Sequence, residues 1–298
     1  MITRQAATPN SRHGRAMGNA GPGGRLGVGA GAWFGSLMVL TSIMAGAAAL
    51  CTAAVAQGED RVAAIRARGE LRVCAWPDYF GISWRNPRGG EVEGLDIDLA
   101  RAFATRLRVR LSLIETENLA IPAAVEAGAC DIAMSGVTVT EERAARVAFT
   151  KPYLSTPLVA IASRASARVP DWAALDRPGM VVAVSAGAPA EAVMRAALRR
   201  GELAVLRPPR LREAEVQSGR ADAFITDLPY ARGLAQRQPW VRLIPAPPRF
   251  GETLMAWAVP RGDAGWLAEA NNFLAVVKAD GQLARAAERH GMAGLVVY

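Results

Sequence analysis

The chain has 298 residues, 51% of them apolar and 21% charged, with a formal charge of +8. That length suffices for two compact domains, and so ordinary a composition excludes a disordered chain. The basic residues are nearly all arginine, with lysine only at Lys151 and Lys278, and are scattered rather than gathered with aromatics into a stripe, which excludes a nucleic-acid footprint.

In chain order, Arg4, Arg12, Arg15 and Arg25 precede an apolar run from Leu37 to Leu50, and Ala54-Val55-Ala56 then supplies a small-x-small cleavage site. This is the pattern of an export signal over residues 1–56, leaving Gln57 as the mature start. The run is shorter than the ~20 residues of a membrane span. Leu50 stands before Cys51 where a lipoprotein would need a small residue. The signal holds four arginines and no acid, so half of the formal charge resides there. Two cysteines remain, Cys74 and Cys130, each at a predicted strand; a disulfide and a pair of buried thiols both fit an exported chain.

Leu71 to Trp76 predicts a short apolar strand, and Gly94-Leu95-Asp96-Ile97-Asp98 opens a helix in which Leu99, Phe103 and Leu107 recur every four residues. Asp96 and Asp98 are expected to cap or flank that helix start. Strands follow at 110–114 and 131–134 with a short helix at 121–127 between them. A helix is predicted over 141–148, with Thr138 and Glu141 available as a capping box, and a strand at 158–163 leads out. Pro170, Pro178 and Gly179 mark a break. The pattern restarts with strands at 181–185, 204–206, 223–226 and 241–244 and a helix at 191–199. After a second proline-rich break (245–251), a strand at 254–259 leads into a helix with Trp266, Ala270, Phe273, Leu274 and Val277 on its apolar face, ended by Gly281. Strands alternating with helices imply an α/β fold of mostly parallel sheets flanked by helices. The last strand and helix return to the first lobe, so two connections make a hinge.

Two segments repeat each other. Val125 to Gly136 reads VEAGACDIAMSG and Val216 to Asp227 reads VQSGRADAFITD, each a helix end, a glycine suited to a left-handed cap and a strand. The first copy leads to a helix start carrying Arg143, whereas the second ends on the carboxylate of Asp227. A cation and an anion at matching exits of two sub-sheets suit a zwitterion held between lobes. Catalytic patterns are scarce: the only histidines are His13, in the signal, and His290, no metal-ligand spacing occurs, and no glycine-rich phosphate loop is present. After Asp227, Leu228-Pro229-Tyr230-Ala231 adds no second carboxylate. The expectation is a protein that is not an enzyme and needs no cofactor.

Asp131 to Tyr153 (DIAMSGVTVTEERAARVAFTKPY), Gly94 to Leu107 (GLDIDLARAFATRL) and the second repeat closely resemble the family 3 extracellular solute-binding proteins, periplasmic receptors that deliver polar amino acids to ABC importers. The resemblance covers most of residues 71–291. It implies a two-lobed type II periplasmic binding protein fold, with lobe 1 over 57–157 and 249–298 and lobe 2 over 158–248. It implies a monomer whose partners are an amino-acid-like ligand and an inner-membrane permease. The residue matching the family's carboxylate-gripping arginine is Arg143, helped by Ser135 and Thr138, and Asp227 receives the ammonium. A guanidinium grips a carboxylate with two parallel hydrogen bonds, and a helix start favours an anion. Trp76 and Tyr79, beyond a strand's C-terminal end, would wall the ligand side chain. Phe80 and Trp84 are left open between site and core. Gly136 and Ala188 complete the expected set, although Ala188-Pro189 lacks the hydroxyl usual there and Pro189 lacks an N–H. Binders of basic amino acids carry an acid near the position of Trp76, so a Lys- or Arg-like ligand is disfavoured. Two alternatives stand beside transport: a periplasmic cyclohexadienyl dehydratase on the same fold, and a free-standing accessory or sensor protein.

Overall fold

The computed structural model describes residues 60–207 and 211–298; the export signal expected over 1–56 lies outside them. The first half holds α1 (Arg61–Arg68), β1 (Glu70–Ala75), β2 (Asp78–Tyr79), β3 (Ser83–Arg85), β4 (Val92–Glu93), α2 (Leu95–Leu107), β5 (Arg110–Glu115), α3 (Ile121–Glu126), β6 (Ile132–Thr138), α4 (Glu141–Ala144), β7 (Val147–Phe149) and β8 (Leu154–Ser163). There follow β9 (Val181–Ser185), α5 (Pro189–Ala197), β10 (Glu202–Leu206), α6 (Leu211–Gln217), β11 (Ala223–Asp227), α7 (Leu228–Arg237), β12 (Val241–Pro245), β13 (Glu252–Pro260), α8 (Ala264–Ala279) and α9 (Gln282–Arg289).

The strands run in the order β10-β9-β11-β8-β13-β6-β1-β5. Two lobes with matching plans are visible in that order. In one, β5, β1 and β6 are parallel and β13 closes the set antiparallel; in the other, β10, β9 and β11 are parallel and β8 closes it antiparallel. Leu154 to Pro157 of β8 pair with β13, while Leu158 to Ala162 pair with β11, so these two long strands join the lobes. This is the two-lobed, mostly parallel α/β fold that the strand–helix alternation implied.

The repeats explain part of the register. Gly128 and Gly219 both take a positive φ, 70° and 75°, which ends the preceding helix in a left-handed cap at little steric cost. Three residues on, each repeat's aspartate clips its strand to the neighbouring one. Asp131 Oδ2 accepts from the Arg72 N–H at 2.8 Å, and Asp222 Oδ2 accepts from the Val181 N–H, also at 2.8 Å. Arginines from outside the repeats, Arg68 and Arg168, close on the same two carboxylates. Spacing alone marked these aspartates only as part of a motif; their role is to fix parallel pairing.

Several expectations change. The helix predicted over 141–148 stops at Ala144, because Val147–Phe149 adds to β13 as a strand. Its cap is Thr140, whose side chain accepts from the Arg143 N–H, rather than Thr138, which is still the last residue of β6. Asp96 does not cap its own helix. It is buried and accepts from the Gly136 N–H, the Trp257 indole and the Tyr153 hydroxyl. Asp98 instead faces Arg289 and His290. Cys74 and Cys130 are joined by a disulfide. Phe103 stacks between Phe273 and Trp266, at centroid distances of 4.4 and 5.4 Å, which docks α8 onto α2. Among the described residues no helix is long and apolar enough to cross a membrane.

Candidate functional site

A cavity of about 270 Å³ lies between the lobes, at the C-terminal ends of the parallel strands where open α/β sheets place ligands. From lobe 1 it is lined by Trp76, Asn118, Thr138 and Arg143, and from lobe 2 by Ser185, Ala188, Arg212 and Asp227, among others. The size is that of an amino-acid-sized ligand, just under the ~300–1,000 Å³ of drug-sized sites. The lobes are closed on each other. Trp76 beyond β1 stacks on Tyr230 of α7, with centroids 5.8 Å apart and planes within 8°. Below them, the Arg232 guanidinium donates to the Gly291 carbonyl at 3.0 Å.

Arg143 sits in the short α4, held by the Thr140 cap, and is 6% exposed. Its guanidinium donates to the Thr138 carbonyl at 3.3 Å and to Asn118 Oδ1 at 3.4 Å, both long bonds that leave the fork poorly satisfied. Burial lowers its pKa, while the neighbouring Tyr79 and Glu142 act the other way; a guanidinium stays charged regardless. Across the cavity, Asp227 closes β11 and caps α7, its Oδ1 accepting from the Tyr230 N–H at 2.9 Å. Burial raises its pKa, opposed by that N–H, by the Tyr79 hydroxyl and by the Arg212 charge.

Five of the sequence-predicted residues, Trp76, Thr138, Arg143, Ala188 and Asp227, share this cavity. Three lie beneath its wall. The Ser135 hydroxyl accepts from the Trp76 N–H at 2.9 Å and shares a 2.8 Å bond with Ser83, so it positions the Trp76 loop. The Gly136 N–H is held by Asp96 at 2.7 Å. Tyr79 is 2% exposed, with its hydroxyl 3.9 Å from Met255 Sδ and towards Asp227. Phe80 and Trp84 pack edge to face on each other outside the cavity.

Sequence reasoning missed Arg212, Tyr230, Ser185 and Thr253 as lining residues. Arg212 is 6% exposed and lies over the rings of Phe224 and Tyr230, 4.9 and 5.3 Å from their centroids. Its signal was present: it precedes Val216 of the second repeat by four residues and therefore shares that residue's buried helix face. The Tyr230 hydroxyl, turned away from Trp76, donates to Glu213 at 2.8 Å.

Residues 71–293 match the family described as bacterial extracellular solute-binding proteins, family 3. The chain is 28% identical to the cyclohexadienyl dehydratase of Pseudomonas aeruginosa over 228 residues, 76% of this chain and 84% of that protein. It is 26% identical to the ABC transporter glutamine-binding protein of Bacillus subtilis, over 75% of this chain and 82% of that one. The crystal structure of an ancestral amino acid-binding protein, a precursor of cyclohexadienyl dehydratase, matches with a TM-score of 0.67 and 31% identity over 77% of this chain and 99% of that one.

These likenesses overturn the expectation that the chain is not an enzyme, since a dehydratase carries the same fold over most of its length. The premise behind that expectation also fails in the structure. A second carboxylate, Glu117, lines the cavity that holds Asp227, and burial moves Asp227 in the direction that suits a proton donor.

Proposed function

The chain belongs to the bacterial extracellular solute-binding proteins, family 3, and on that premise we propose that it captures an amino acid or similar zwitterion between its lobes. One observation carries the reading: Arg143, buried, and Asp227, half-buried, groups of opposite charge from different lobes, line one amino-acid-sized cavity. Arg143 takes the α-carboxylate in a bidentate grip, with the Thr138 hydroxyl beside it, and Asp227 takes the ammonium. Trp76 and Tyr230 form the aromatic wall. In this reading the protein is exported to the periplasm, works as a monomer and hands its ligand to an ABC importer, as the likeness to a glutamine-binding transporter component suggests.

The test is thermal unfolding of the purified protein with each of the common amino acids. A ligand at about 100 times its dissociation constant adds roughly 2.7 kcal/mol, a readily seen shift. Arg143→Ala should abolish the response, because two charge-assisted hydrogen bonds of ~1.5–3 kcal/mol each go with it. No shift with any amino acid, or an unaltered shift in the variant, refutes the reading.

A dehydratase reading is favoured by Glu117 and Asp227 sharing the cavity and by the likeness to a cyclohexadienyl dehydratase. Here a carboxylic acid protonates the leaving ring hydroxyl, which departs as water while the ring carboxylate leaves as carbon dioxide and its C–C electron pair completes the aromatic ring. Incubation with prephenate and with arogenate, followed by assay for phenylpyruvate and phenylalanine, tests it; turnover lost in Asp227→Asn or Glu117→Gln supports it, and no turnover refutes it.

A further inference from the structure

Tyr230 is fixed at three points within lobe 2. Its N–H donates to Asp227 Oδ1 at 2.9 Å, which sets its place in the first turn of α7. Its hydroxyl donates to Glu213 Oε1 at 2.8 Å, and the Arg212 guanidinium lies over its ring, 5.3 Å from the centroid. Arg212 and Glu213 are consecutive residues of α6 and form an ion pair at 3.7 Å. They fork around the phenol, one on its ring and the other at its tip. Arg212 is held in turn over Phe224 at 4.9 Å, and its Nη1 donates to the Ile225 carbonyl at 3.3 Å. Although Arg212 lines the cavity, its charge is paired with Glu213, so its part is to clamp the ring. Burial, and then the Glu213 charge, raise the Tyr230 pKa well above that of an ordinary phenol, so the hydroxyl stays a donor to Glu213.

What this fixed ring meets belongs to the other lobe. Trp76 stacks on it with centroids 5.8 Å apart and planes within 8°. Both residues line the ligand cavity, and they are only 7% and 8% exposed. Two rings from different lobes cover each other only where the lobes meet, so the stack is made on closure and broken on opening. A ring already tethered at its tip gives up little further freedom when it stacks, which leaves more of the contact to hold the closed state.

We propose that Tyr230 latches the closed lobes over the ligand by stacking on Trp76, and that Glu213 is a positioning residue that holds the phenol ready for that stack. This rests on the amino-acid reading, in which Arg143 and Asp227 grip the ligand and closure retains it. A contact made after the first encounter slows release and leaves capture untouched.

The test begins with calorimetry of the twenty common L-amino acids on the unaltered protein; each one that binds is then followed in the variants by stopped-flow tryptophan fluorescence. Tyr230→Leu should release it about tenfold faster, the order that a stacked aromatic pair supplies, with association within about threefold. Tyr230→Phe keeps the ring and loses only the Glu213 tether, so release should quicken by about threefold. In Glu213→Gln the amide oxygen still accepts from the hydroxyl, and release should stay within about twofold of the unaltered protein. Unchanged release in Tyr230→Leu, even with a lower melting temperature, overturns the latch and leaves the amino-acid reading standing. Unchanged release in Tyr230→Phe, or release in Glu213→Gln as fast as in Tyr230→Leu, overturns the positioning role of Glu213. If none of the twenty binds the unaltered protein, both readings fall. Should Tyr230→Leu not fold, Tyr230→Phe, which differs by one hydroxyl, decides alone.

Discussion

Asp96 lies under the site and should give the protein an unusual dependence on pH. Its carboxyl is fully enclosed and accepts three hydrogen bonds, from the Gly136 N–H at 2.7 Å, the Trp257 indole at 3.0 Å and the Tyr153 hydroxyl. Burial dominates over these donors and lifts its pKa from 3.8 to about 6. Below pH 3.8 the group is protonated in both folded and unfolded chains and contributes no pH dependence. Between about 4 and 6 the unfolded chain releases the proton while the folded one keeps it, so stability falls as pH rises. At about 1.4 kcal/mol per pH unit, the full loss is roughly 3 kcal/mol by pH 7. Asp96→Asn cannot ionise. It sets an amide N–H₂ against a donor, the Trp257 indole or the Gly136 N–H, a constant cost of about 1–3 kcal/mol. The stability of the unaltered protein minus that of the variant should therefore decline by about 2.4 kcal/mol from pH 4 to pH 7. Urea unfolding at each pH measures it, and the difference cancels every other titrating group. A difference that is flat across that range, or that grows with pH, refutes the argument that burial outweighs the three donors.

The Cys74–Cys130 bridge closes a separation of 56 residues, so replacing both cysteines by serine should cost ~4 kcal/mol through the freed unfolded chain; urea midpoints with and without the bridge check it. Gly233→Ala probes closure. An added Cβ would stand 2.2 Å from Phe80 Cβ across the lobe interface, yet alanine is intrinsically better in a helix by ~1 kcal/mol. The variant should keep or gain stability without ligand, lose affinity at least tenfold, and show a larger radius of gyration by X-ray scattering; unchanged affinity would mean closure does not need that contact.

The parts of the fold that repeat were the parts that could be read. Strands alternating with helices, and two copies of V-x-x-G-x-x-D, carry their own period, so the sub-sheets and their glycine-capped helix ends were legible without tertiary knowledge. Strands of two or three residues carry no period, which is why β2, β3 and β4 went unseen. Val147–Phe149 failed for a different reason: it continues a helix-compatible run, and only pairing with the distant β13 makes it a strand. Asp96 flanks its helix start as expected, but its partners Tyr153 and Trp257 went unseen because they lie 57 and 161 residues away, whereas a local reading stops at the helix start. Arg143 and Asp227 drew notice because one follows the first repeat and the other ends the second. Ser185 did not, because it ends a strand whose burial, rather than whose type, brings it to the cavity, and Arg212 was marked only by sharing the buried helix face of Val216.

That division explains why the motifs do not separate binding from catalysis. One half-buried carboxylate can serve either end, and its proton decides which. A bound ammonium beside Asp227 favours the charged form, pulls its pKa back down and makes it an ionic holdfast. A ligand that brings carboxylates but no ammonium pushes the same pKa further up, against the burial that already raises it, and leaves a protonated acid beside the ligand. The chemistry at Asp227 thus depends on the charge of what the cavity admits, so measuring the Asp227 pKa by NMR with a zwitterionic and with a dianionic ligand distinguishes the two roles. A pKa that moves the same way with both ligands would refute the coupling.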